Sequence, residues 1–118
     1  MYHLTDKRLE SARPTLQRYR DQLVEHRSIM AGQLERELRD LWGIGYQELK
    51  DIIIDMVKKD QFPEVAAYYM EHSNSGVGVV SEFKRPLSKL YGIPYFHHAD
   101  REKKRQEFWM RTLGGSVA

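Results

Sequence analysis

Apolar residues recur at helical spacing along most of this chain. Between Pro14 and Trp42 they stand at Leu16, Tyr19, Leu23, Met30, Leu34, Leu38 and Leu41. The steps of 3, 4, 7, 4, 4 and 3 keep a single stripe on a 3.6-residue period and predict one long amphipathic helix. Pro14 suits its first turn, where a missing N–H costs nothing. Glu35/Arg39 and Arg36/Asp40 are opposite charges four apart, which support the outer face weakly. Gly43 and Gly45 stop the helix. Gly32 is its weak point, about 1 kcal/mol worse than Ala in a helix interior, and marks a bend or a break. A shorter helical turn capped by Thr5 or Asp6 precedes it.

The same period continues further on. Tyr46, Leu49, Ile52, Ile53, Met56 and Val57 predict a helix from Tyr46 to Asp60. Pro63 opens another that reaches His72, with Val65, Tyr68 and Tyr69 inward. Residues 73–78 read as a turn by composition. From Val79 two readings stand side by side. Val80, Phe83, Leu87, Leu90 and Tyr91 have helical spacing, although Pro86 falls inside the run and would kink it or move its start. Alternatively, Val77–Phe83 and Ile93–His97 are the strands of a short β-hairpin near 77–97. Asp100 is a good N-cap for a last helix from Arg101 to Leu113, with Phe108, Trp109 and Leu113 on its apolar side and Arg101, Lys104, Arg105 and Arg111 opposite.

These elements predict one all-α domain over residues 1–118: a bundle of four or five helices with one long N-terminal helix and a frayed tail at 114–118. A helix of about 29 residues is about 44 Å long, more than a domain of this size spans. Its stripe therefore predicts a homodimer through Leu16, Leu23, Met30, Leu34, Leu38 and Leu41, unless Gly32 divides it into two helices of one bundle.

Composition narrows the chemistry. The chain has 118 residues and no cysteine, which excludes a disulfide framework, a thiolate metal site and a cysteine nucleophile. No apolar run approaches the roughly 18 residues that span a membrane, and residues 1–8 lack the apolar core of a secretory signal. The expectation is a cytoplasmic protein with no membrane partner.

Charge is unevenly spread. Of the net +2, residues 82–118 hold eight Lys/Arg against four acids, whereas residues 43–81 hold three against six. A clustered field of one sign selects oppositely charged partners. The basic side chains are Lys84, Arg85, Lys89, Arg101, Lys103, Lys104, Arg105 and Arg111, with Trp109 beside them as a candidate stacking or anchoring residue. The competing reading of the last helix is that its aromatics dock in the core and its charges meet water.

Other constellations are weaker. The helices at 46–60 and 63–72 have the short connection of a helix-turn-helix, but the second opens on Glu64 rather than on Arg, Lys, Asn or Gln. A later pair, 63–72 then 79–91, offers Lys84, Arg85, Ser88 and Lys89 after a longer turn. With strands at 77–83 and 93–97 a winged helix is conceivable. Val77 to Val80 followed by Glu82-Phe83-Lys84 resembles the metal-binding limb of the PD-(D/E)xK nucleases over about eight residues. Such a limb needs an upstream Asp on a paired strand, and Asp55 and Asp60 lie in a helical stretch. His97 and His98 are adjacent and point apart, so they do not share an ion. Gly76-Val77-Gly78 lacks the third glycine of a phosphate loop. No catalytic set, metal or cofactor is expected. The sequence therefore reads as a non-enzymatic regulatory or accessory protein whose basic C-terminal third contacts nucleic acid. The alternative is an adaptor or inhibitor that binds a larger protein through helical surfaces.

Overall fold

Thr5 starts the first helix. Its hydroxyl accepts the Arg8 N–H at 3.1 Å, and α1 runs from Asp6 to Val24. The computed structural model describes residues 2–25, 29, 31–73 and 79–112. Five helices follow α1: α2 (Ala31–Trp42), α3 (Tyr46–Lys58), α4 (Pro63–His72), α5 (Ser81–Tyr91) and α6 (Arg101–Thr112). The all-α class holds, with six helices rather than four or five and no strand among the described residues. The alternative hairpin near 77–97 is corrected: Ser81 onward is helix, and residues 93–97 form bends and turns; residues 77 and 78 lie outside the described residues.

The single helix expected over Pro14–Trp42 is two. α1 ends at Val24 with Glu25 as its cap, and α2 begins at Ala31, one residue before Gly32. The seven-residue step from Leu23 to Met30 fits an unbroken helix and so hid the break. Pro14 does not open α1 but sits inside it. Leu9 and Ala12 carry the apolar stripe upstream of the proline, so packing extends the helix in spite of the one backbone bond that Pro14 cannot make.

The two helices fold back on each other. The Trp42 indole N–H donates to the Arg8 carbonyl at 3.1 Å, while Arg18 and Tyr19 of α1 both reach Glu37 of α2, so α1 and α2 run antiparallel. Burial first, and then Glu37, push the Tyr19 hydroxyl up to about 12. This pairing closes the stripe within one chain. Leu16, Leu23, Leu34 and Leu38 are all core residues, and Leu41 is 45% exposed. Four of the leucines expected on a homodimer face, Leu16, Leu23, Leu34 and Leu38, thus already face this chain's own interior. Met30 lies outside the described residues.

α4 is the central helix, packed against α1, α2, α3 and α5. Val65, Ala66, Ala67, Tyr69 and Met70 are fully covered, the two alanines allowing close approach of neighbouring helices. Glu64 in its first turn is buried as well and meets the Arg20 guanidinium of α1 at 2.9 Å. Tyr69 contacts Phe83 of α5 edge-on, and Tyr91 of α5 contacts Phe108 of α6 in the same way. No helix among the described residues is long and apolar enough to cross a membrane.

The segment before α1 is clamped to α3. Asp55 accepts the Leu4 N–H at 2.7 Å and lies 2.9 Å from the Lys59 ammonium, which donates to the Leu4 carbonyl at 2.7 Å. Burial raises the Asp55 pKa, but Lys59, the Leu4 N–H and His3 together outweigh it, and the net displacement is downward. A lowered carboxylate pKa stabilises the fold above the ordinary Asp value, and that stability is lost as pH falls through the folded-state value. Asp55→Asn is expected to cost about 1–3 kcal/mol at neutral pH and to flatten the acid limb of the stability profile, measured by thermal melts between neutral pH and acid.

Candidate nucleic-acid interface

Gly92 turns the chain back along α5. Its φ of 73° lies in the left-handed region, which side chains with a Cβ resist. The Ile93 N–H then bonds the Ser88 carbonyl at 3.0 Å, closing the helix end in a Schellman arrangement. Ile93 and Phe96 are buried and anchor the returning segment, and Pro94 between them fixes its own φ. At its far end the His97 Nε2 lies 3.0 Å from the Lys84 ammonium, one helical turn from the start of α5. Residues 93–97 thus run beside the outer face of α5.

Between the helix and this segment is an open groove of about 520 Å³. Lys84, Arg85 and Lys89 border it on the helix side, and Tyr95 and His97 on the other. Phe83, Leu87 and Tyr91 of α5 point into the core, Arg85 and Lys89 point out, and Lys84 lies half-buried between the two faces. Among the described residues no carboxylate pairs with Lys84, Arg85 or Lys89. The acid nearest in sequence, Glu82, is drawn to the buried Lys50 of α3 at 2.8 Å. Ser88 also lines the groove, but its hydroxyl donates to the Lys84 carbonyl at 2.8 Å.

The other predicted residues, on α6, do not behave alike. Arg101 stacks its guanidinium over the Phe96 ring at 4.7 Å, against a residue that also lines the groove. Lys103 and Arg111 are exposed, and Lys104 lies 3.8 Å from Glu107 on the same helix. Arg105 points the other way. It stands three residues before Phe108 and four before Trp109, which puts it on their inward side, where its Nε donates to Glu71 of α4 at 2.6 Å. Burial disfavours its charge, but Glu71 overrules that and holds its pKa above the ordinary arginine value.

Trp109 also faces inward. It is 9% exposed, packs nearly perpendicular to Phe108 at 5.1 Å, and presents no open face on which a base could stack. Its indole N–H has no hydrogen-bond partner among the described residues. The aromatic that does stand at the groove, Tyr95, is 63% exposed, more than any other large apolar side chain among the described residues. Nothing in the helical period pointed to it. The available signal was the Ile93-Pro94-Tyr95-Phe96 order after Gly92, in which two apolar anchors flank an outward aromatic.

The remaining motifs lose their context. The α3–α4 pair does not offer a recognition helix, because Glu64 at the start of α4 is buried against Arg20. The winged-helix alternative has no wing among the described residues. Glu82 and Lys84 lie on a helix and diverge by about 200° around its axis, so they do not form a nuclease limb. His98 accepts the Asp100 N–H at 3.1 Å, and no cluster of three or more metal-ligating side chains occurs among the described residues. No family model, curated protein or solved structure matches the chain.

Proposed function

We propose that this chain is a non-enzymatic accessory protein that binds nucleic acid through the groove beside α5. The observation that carries this reading is the cluster of Lys84, Arg85 and Lys89 on one open groove with no carboxylate partner among the described residues. Cations left unpaired at a concave surface keep their full field for a polyanion. Arg101, held against Phe96, adds a fourth charge beside the groove. Lys103, Lys104 and Arg111 are exposed on α6 and do not line the groove, and Lys104 lies 3.8 Å from Glu107. Arg105 and Trp109 serve the fold instead.

The test is a salt titration of oligonucleotide binding. Four phosphate contacts give a log–log slope of about −2.8 for a single strand, at roughly −0.7 per phosphate. No complex at about 50 mM salt would overturn the reading. A second reading, an adaptor or inhibitor of a larger protein, is supported by Leu41 and Tyr46, both exposed at the corner between α2 and α3. It expects a complex that tolerates salt and ignores nucleic acid.

A further inference from the structure

The groove beside α5 distinguishes between forms of nucleic acid. A helix that reads duplex DNA must stand free to enter a major groove roughly 12 Å wide. The cationic face of α5 does not stand free. Residues 93–97 lie along it, anchored by Ile93 and Phe96, hydrogen-bonded to the end of the helix through the Ile93 N–H, and in contact with Lys84 through His97. The space left between helix and segment, about 520 Å³, falls within the roughly 300–1,000 Å³ range of small-ligand sites and far below what a duplex needs. It matches one or two nucleotides of a separated strand.

The wall opposite the cations carries the second requirement of single-strand binding. Non-specific single-strand sites combine cations along the backbone with aromatic rings on which unpaired bases stack. Tyr95 is such a ring: 63% exposed, on the groove, and meeting His98 at 70° rather than face to face. It is held in place from behind. Pro94 precedes it, its carbonyl accepts the His98 N–H at 3.0 Å, and its buried neighbour Phe96 fixes the segment to the core. A backbone fixed before binding leaves only the side chain to be ordered when a base covers the ring.

We infer that the groove takes a single-stranded segment of DNA or RNA, with Lys84, Arg85 and Lys89 on its phosphates and Tyr95 stacked on one unpaired base. The inference rests on the nucleic-acid reading above and specifies the form of the ligand. It is tested by fluorescence anisotropy of the full chain at about 50 mM salt. The probes are an oligothymidylate of a dozen nucleotides, the same strand with abasic sites throughout, and a blunt duplex of equal length. The proteins are wild type, Tyr95→Ala and Tyr95→Phe. The oligothymidylate is expected to bind tightest. Tyr95→Ala should weaken it about five- to a hundred-fold, the range of a lost base–aromatic stack, while Tyr95→Phe retains it. The abasic strand should bind more weakly than the oligothymidylate and lose nothing further in Tyr95→Ala. Because Tyr95 is exposed, both variants should melt with wild type, so a loss of affinity is not a loss of fold. The inference is overturned if duplex binds as tightly as the oligothymidylate, or if Tyr95→Ala leaves oligothymidylate binding intact. Those results would leave the nucleic-acid reading standing, whereas failure of wild type to bind any of the three probes would remove both.

Discussion

Replacing Lys84, Arg85 and Lys89 together by Gln is expected to weaken single-strand binding about a hundred-fold at about 50 mM salt, and only about five-fold near 0.2 M. The two figures follow from one relation. Three lost phosphate contacts at roughly −0.7 each flatten the log–log salt slope by about 2, so the penalty shrinks as counterions compete. This dependence separates an electrostatic role from a packing role, since a packing defect would weaken binding at every salt concentration. All three side chains border the groove; Arg85 and Lys89 are exposed on the face of α5 opposite Phe83, Leu87 and Tyr91, and Lys84 is half-buried at the edge of that face. Substitution of the exposed Arg85 or Lys89 should therefore change stability by no more than about 0.5 kcal/mol, while Lys84→Gln, which gives up the contact with His97, should cost about 0.5–1.5 kcal/mol. A triple variant that stays folded and binds with an unchanged salt slope would exclude the groove as the phosphate site.

Arg105→Met should do the reverse, costing the fold about 2–4 kcal/mol while leaving groove binding nearly intact in the protein that remains folded. Arg105 ties α6 to the central α4 through Glu71, whose carboxylate is largely buried. Tyr91 stands close by, its buried hydroxyl raised in pKa by burial first and then by the charge of Glu71 and a hydrogen bond to it. Removing the guanidinium leaves a buried carboxylate with no countercharge, the costly way to break such a pair. Arg105→Met combined with Glu71→Gln should recover a large part of the loss, and chemical denaturation of the four proteins gives the coupling directly. If Arg105→Met alone is neutral, the contact is a surface ion pair and contributes little.

These two arginine and lysine groups show where sequence sufficed and where it did not. Helices α3, α4 and α6 were legible to within two residues at each described boundary, because Gly45, Pro63 and Asp100 punctuate a clear period. The start of α1 was obscured by Pro14, whose usual place is a first turn. Its end was obscured by a seven-residue step that a straight helix also satisfies. The two faces of α5 could be read once it was taken as a helix. Those of α6 were harder, because three apolar residues are too few to define a stripe. Arg105 lay on their side by simple spacing, but its partner Glu71 is 34 residues away and invisible to any local pattern. The groove itself was beyond reach for the same reason. Its second wall exists only because Ile93 and Phe96 find the core and bring Tyr95 and His97 back beside the helix.

The eleven residues of α5 face two masters at once, and this sets how the protein can vary. Point changes on the outward side alter grip and selectivity without disturbing the interior, so affinity is open to gradual tuning. A one-residue insertion is a different event. It rotates every later position by about 100°, turning Leu87 and Tyr91 away from the core and dragging charge toward it. Homologous stretches should therefore diverge freely in letter between Ser81 and Tyr91 yet keep a constant length.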